Sequence, residues 1–231
     1  MRGGLIVNRK HFRTPSPFLI FLDFESNSPG SPFGHVSGPD GWDDPISLFM
    51  IKTDSELNIL DEIDVRFAPT GRWSLDSEKV HGITEKEARN YPPQSEGLEK
   101  IIEFIDPGST IVFHAAKIGH YFDYGMMLGL FEKHEKRAIF YQLFPYLVST
   151  VDVLREAVKS GKFEPVLSQG SDGRQRQSYR LNLWCERLGI ELDHHNAQSD
   201  TRATYEIFKR VTTSQQSGKT PSREQQAMTL L

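Results

Sequence analysis

The stretch SPFLIFLDFESNSPG ends an apolar run with two carboxylates, Asp23 and Glu25, one residue apart. Side chains alternate along an extended strand, so Asp23 and Glu25 project to one side while Phe24 faces the opposite layer. Two adjacent anions there repel each other and lose hydration, at a cost of order several kcal/mol unless a cation or hydrogen-bond donors offset it. Hard oxygen ligands in this arrangement suit Mg²⁺ or Mn²⁺. An isolated D-x-E at a strand end is more often two hydrated side chains, so the pair gains meaning only in company.

Two further segments supply that company. In HHNAQSDTRATYEIF, His195 and Asp200 are five residues apart, about 140° around a single helix. They can face one point only if His195 sits in the loop just before the helix. An imidazole beside metal-bound carboxylates is placed to take a proton from water, the work of a general base. His194 competes for that role at a spacing one residue longer. In TIVFHAAKIGHYFDYGMML, a short strand precedes a helix carrying Asp123 among Phe122, Tyr124 and Met126. A buried lone Asp there needs a partner, and a metal is one.

These segments need elements to hold them. Phe18–Phe24 reads as a central strand, and Ser26–Pro45, dense in Gly, Pro, Ser and Asp, reads as a loop. ISLFMIKTD and ILDEIDVRFAP form a hairpin about the turn at 54–58. Helices follow over SLDSEKV and TEKEARNYP, where Thr84 and Glu87 have capping-box spacing. Ser95–Ile105 has apolar residues at 98, 101, 102 and 105, one helix face. STIVFH reads as a strand, Tyr121–His134 as a helix, YLVSTVDVL as a strand entering a helix, and YRLNLWCERLGI as a helix capped by Gly189. The last element begins after His195. The economical architecture is an α/β domain with a mixed sheet. The expected division is a 1–17 extension, a domain over 18–211, and a polar, disordered tail from Thr212.

With 231 residues, 37% hydrophobic, the chain suffices for one full core. The net charge of −4 excludes holding nucleic acid by global basicity, so any such contact is local. One cysteine, Cys185, excludes an internal disulfide framework. No apolar run reaches membrane-spanning length and no signal peptide is legible, so a cytoplasmic protein without membrane contact is expected.

Taken in order, the three segments resemble the DnaQ-like 3′-5′ exonucleases of the DEDDh type. Asp23-Phe24-Glu25 resembles that family's D-x-E motif, HAAKIGHYFD its second motif, and His195 to Asp200 its H-x4-D motif. VHGIT at Val80–Thr84 and LNLWCERLGIELDHHNAQSD resemble its connecting segments, and the likeness covers roughly residues 18–210. There are departures. Ala115 stands in place of the family's Asn, four extra residues separate His114 from Phe122-Asp123, and Ser26-Asn27-Ser28 replaces Thr-Thr-Gly.

The resemblance implies an RNase H-like fold, a mixed sheet of about five strands flanked by helices. It implies two divalent ions, Mg²⁺ or Mn²⁺, held by Asp23, Glu25, Asp123 and Asp200, with His195 as general base. The implied reaction removes nucleoside 5′-monophosphates from the 3′ end of a nucleic acid, with single-stranded DNA the favoured substrate. An exoribonuclease with the same chemistry and an inactive nucleic-acid-binding module are the alternatives. Phe24, Ser26 and His81 are candidate substrate contacts, and Phe33 and Trp42 candidate stacking residues. Lys133, Lys136 and Arg137, and the run from Lys159 to Arg180 with Lys162, Arg174 and Arg176, offer local positive charge. Proofreading would need a separate polymerase chain, and QQAMTLL only loosely resembles a sliding-clamp peptide.

Overall fold

The computed structural model describes residues 18–28, 44–114, 122–193 and 195–217. β1 (Leu19–Ser26), β2 (Pro45–Thr53) and β3 (Ile59–Arg66) form an antiparallel meander. β4 (Thr110–Phe113) and β5 (Tyr146–Ser149) add to it in parallel, giving the order β3-β2-β1-β4-β5. The mixed five-stranded sheet is the one expected. The parallel pairs need long crossovers, and these carry the helices. Between β3 and β4 lie α1 (Leu75–His81), α2 (Glu85–Ala88) and α3 (Gln94–Phe104). Between β4 and β5 lie α4 (Phe122–Lys133) and α5 (Arg137–Leu143). After β5 come α6 (Thr150–Lys159), a small ribbon of β6 (Leu167–Gln169) and β7 (Gln175–Gln177), α7 (Leu181–Leu188) and α8 (Ala197–Ser217).

β1 is central and buried on both faces, and its alternation assigns each residue a layer. Ile20, Leu22 and Phe24 belong to a core shared with α3, α4 and α5. Phe21 belongs to the opposite core, where Tyr205 and Phe208 of α8 meet its ring edge-on at centroid distances of 5.3 and 5.4 Å. Asp23 and Glu25 continue the Phe21 side, so they point toward α8. On the other face α3 approaches closely at Gly97, where a Cβ would fall 2.3 Å from the Phe67 ring. A larger residue there would have to push the helix off the sheet.

Local chemistry sets the ends. The Thr84 side chain accepts from the Glu87 N–H as the capping box predicts, and Gly189 closes α7 at φ +63°. Two elements were not anticipated, α5 and the β6–β7 ribbon. α8 also runs six residues beyond the expected boundary at 211. Most of the loop after Ser26, with Phe33 and Trp42, lies outside the described residues. So do the insertion after His114 with Ala115, His194, and the clamp-like QQAMTLL. No helix among the described residues is long and apolar enough to cross a membrane.

Candidate active site

The stripes on β1 and α8 run in opposite directions. Where Phe21 meets Tyr205 and Phe208 the contact is apolar; farther along, Asp23 and Glu25 meet Asp200, one turn ahead of Thr204 on α8. One carboxylate oxygen from each of Asp23, Glu25 and Asp200 lies within 4.8 Å of the others. The Thr201 hydroxyl at the start of α8 is shared between the Ala197 carbonyl of its own helix at 2.7 Å and the Phe49 carbonyl of β2 at 3.2 Å.

Asp123 arrives from the other side of the sheet, in the first turn of α4, where the helix dipole favours an acid. Its Oδ1 accepts the backbone N–H of Phe24 at 3.1 Å. Asp123 is buried and close enough to raise the pKa of both Asp23 and Glu25.

Burial is the first cause of every shift in this cluster, and mutual repulsion adds to it. Asp23 is raised well above the usual carboxylate range, and Glu25 is pushed up to about 8. Asp123 is raised to about 7, although the Phe24 N–H opposes the shift, and Asp200 to about 6, although the His195 backbone N–H opposes it. One oxygen of Asp200, Oδ1, is buried with no hydrogen-bond partner among the described residues. Such a set of crowded oxygens with an orphan among them fits hard divalent cations and little else.

His195 stands in the turn immediately before α8, as its spacing to Asp200 requires, with a left-handed backbone (φ +62°) and an exposed side chain. That conformation is uncommon for a residue with a Cβ, though His is among those enriched there. His195 is near enough to His81 to lower its pKa electrostatically.

His81, Ser77 and Val80 share one face of α1, and with Phe24, Glu25, Ser26 and Phe122 they line a cleft of about 230 Å³ beside the carboxylates. His81 Nδ1 accepts the Ile83 N–H at 3.1 Å, which leaves the proton of the neutral ring on Nε2. Burial first, with His195 adding to it, lowers the His81 pKa, while the Ser26 carbonyl and Glu78 oppose. Among the described residues, neither Nε2 nor the buried Ser77 hydroxyl completes a hydrogen bond. Phe24, Ser26 and His81 are thus brought together; Ser77 was missed, because an interior helix serine carries no spacing signal.

His114 directly follows β4, on the strand beside Asp23. Its Nε2 donates to the Tyr179 carbonyl at 2.7 Å, so Nδ1 accepts from the Thr150 hydroxyl at 2.6 Å. Burial lowers its pKa to about 4 against the carbonyl's opposing pull, so the ring is a neutral brace.

The departure at Asn27 has a structural reason. Asn27 is fully buried; its side chain donates to the Arg72 carbonyl at 2.6 Å and accepts the Asp44 N–H at 2.8 Å. Asp44 in turn accepts from the Thr70 N–H at 2.6 Å, the Gly71 N–H at 2.8 Å and Lys133 Nζ at 2.8 Å. Burial alone would raise the Asp44 pKa, but these donors and the Lys133 charge hold it low. Lys133 is therefore a structural counter-ion of Asp44. Lys136 pairs with Glu99 and Arg137 with Glu132 at the surface.

The family model described as "Exonuclease", RNase T, matches residues 20–208. No curated protein matches the sequence. Among solved structures, E. coli exonuclease I in complex with a dT13 oligonucleotide is similar at TM-score 0.69 and 23% identity, over 86% of this chain and 41% of that one. The zinc-bound E. coli exonuclease I–ssDNA complex gives 0.68 and 22%, over 87% and 41%. Apo exonuclease I gives 0.67 and 22%, over 86% and 42%. This chain spans less than half the length of those proteins, and the likeness establishes the RNase H-like fold. With the family model covering nearly the whole described domain, the chain belongs to the RNase T exonuclease family, the DnaQ-like group.

Proposed function

We propose that this protein is a 3′-5′ exonuclease that removes nucleoside 5′-monophosphates from a single strand, DNA in preference to RNA. The observation that carries the reading is the convergence of Asp23, Glu25 and Asp200 within 4.8 Å, with Asp123 close by, from three separate elements. Asp23, Glu25, Asp123 and Asp200 would hold two divalent ions, Mg²⁺ or Mn²⁺, which when bound supply charge stabilisation and an activated water for phosphodiester cleavage. The cleft beside them takes the terminal nucleoside, with Phe24 and Phe122 against it and Ser77 Oγ and His81 Nε2 as its polar contacts. Its volume of about 230 Å³ suits a single nucleoside. His195, exposed beside Asp200, accepts the proton of the attacking water and returns it to solvent. The preference for DNA is supported by similarity to exonuclease I, which is seen with dT13 and dA16 oligonucleotides.

The test uses oligonucleotides of DNA and RNA labelled at either end, with Mg²⁺, Mn²⁺ or EDTA. Release of labelled mononucleotide from the 3′ label at once, a ladder from the 5′ label, faster turnover of DNA and arrest by EDTA are expected. Internal cuts, or hydrolysis in EDTA, would overturn the reading.

A further inference from the structure

The β6–β7 ribbon has no role in the chemistry above. Its register pairs Leu167 with Gln177, Ser168 with Arg176 and Gln169 with Gln175. Paired residues share a face, so one face carries Leu167 and three glutamines and the other Ser168 and Arg176. Arg174 lies in the turn immediately before β7, two residues from Arg176. Every strand residue but Ser168 is exposed. A two-stranded ribbon with no buried face is marginal by itself, yet this one is well specified. The Gly170 N–H donates to the Arg174 carbonyl at 2.8 Å, and Gly173 takes φ +76°.

The base of the ribbon is anchored to the rim of the site. The Tyr179 ring stacks on Trp184 with the planes 12° apart, and the Arg155 guanidinium sits over it at 5.1 Å. The Tyr179 carbonyl is the acceptor for His114 Nε2. β1 and β4 run parallel with Phe21 opposite Val112, which sets His114 level with Asp23. The ribbon therefore springs from the edge of the sheet where the carboxylates gather.

Its charge is opposite to that of the chain. Residues 165–180 hold Arg174, Arg176 and Arg180 against Asp172 alone, in a protein of net charge −4. Lys162 nearby donates to the Val211 carbonyl, and Lys159 forms an exposed pair with Glu156 that is as weakly held as any surface pair. The Arg176–Asp172 pair, 2.6 Å long, is exposed on both sides and so weakly held; Arg176 can exchange it for a phosphate without stranding a buried charge. With Leu167 its one apolar side chain, the ribbon lacks the aromatic or aliphatic anchor of a protein interface. Arginine, serine, glutamine and turn N–H groups are those that contact phosphate and sugar.

We propose that the ribbon is a docking arm for the sugar–phosphate backbone of the strand being degraded, 5′ of its terminal nucleotide, with Arg174 and Arg176 on phosphates. This rests on the exonuclease reading. The test compares wild type with an Arg174→Gln/Arg176→Gln double variant. Binding of a 5′-fluorescein dT20 strand and its RNA counterpart is followed by anisotropy between 50 and 200 mM NaCl, alongside hydrolysis of dT20 and of the p-nitrophenyl ester of thymidine 5′-phosphate. That ester has no phosphate beyond the scissile one. Binding about tenfold weaker at low salt is expected, with the log–log salt slope shallower by about 1.4. KM for dT20 should rise with kcat kept, and the ester should turn over normally. Unchanged oligonucleotide affinity and salt slope would overturn the docking arm even if both substrates are hydrolysed. Failure of the wild type to hydrolyse either substrate would instead overturn the exonuclease reading, while the binding comparison would still decide the arm.

Discussion

The Phe24 N–H donates to Asp123 Oδ1 across 3.1 Å and 99 residues of chain. It joins the strand bearing the D-x-E pair to the helix bearing the second-motif acid. In the proposed site the carboxylate has two separable parts to play, as an acceptor for the sheet and as a charge toward bound cations.

Asp123→Asn keeps an acceptor and removes a repelling charge. Its melting temperature in EDTA should equal or exceed that of the wild type, while Mn²⁺-dependent hydrolysis falls at least 100-fold. Asp123→Ala leaves a buried N–H unsatisfied, at a cost of about 1–3 kcal/mol. Urea unfolding of the two variants separates these effects; equal stability would show that the hydrogen bond is dispensable.

The raised carboxyl groups make metal-free stability depend on pH. Unfolded carboxyls titrate near 4, whereas in the fold Asp200, Asp123 and Glu25 hold protons to about 6, 7 and 8. The folded state binds the extra protons, so their contribution is complete below about pH 4 and is lost as pH rises through 6 to 8. In EDTA the melting temperature should fall between pH 5 and 8. Divalent ions displace those protons, so Mn²⁺ should raise the melting temperature more at pH 8 than at pH 6. A flat EDTA profile would contradict the crowding.

His195 allows a clean substitution because asparagine tolerates its left-handed backbone. His195→Asn should melt like the wild type and bind Mn²⁺ with similar affinity by calorimetry. Its kcat should fall about 10²–10⁴-fold if the imidazole is the base. Retained kcat would transfer the role to another group.

Lys133 is the counter-ion of Asp44, whose side chain is 2% exposed. Lys133→Met should destabilise by about 2–3 kcal/mol, less than for a fully buried pair because the Lys133 side chain is 39% exposed. Because Asn27 and Asp44 brace the loop of residues 70–72 leading into α1, KM should rise more than kcat falls. Adding Asp44→Asn should recover part of the stability, as measured in a double-mutant cycle.

The sequence made the site legible where spacing and secondary structure coincide. Asp23 and Glu25 follow from strand alternation, and the His195 turn follows from its five-residue separation from Asp200. The sheet follows from five apolar runs. The ribbon stayed hidden because LSQ and QRQ have no apolar face for alternation to reveal. α5 escaped because Arg137–Leu143 is short and follows α4 without a Gly or Pro break. Asp44 looked like one more polar residue in a loop, since its partners Thr70 and Lys133 are brought to it only by the fold.

Asp23 lies on the first strand of the domain and Asp200 at the start of its last helix. A ribosome adding 5–20 residues per second needs on the order of ten seconds or more to travel from one to the other. Throughout that interval the growing polypeptide holds D-x-E without Asp200 beside it. On the proposed reading, a hydrolase of nucleic acids is thus assembled beside its own messenger in an inert form, and becomes competent only once the closing helix has emerged and packed against the first strand.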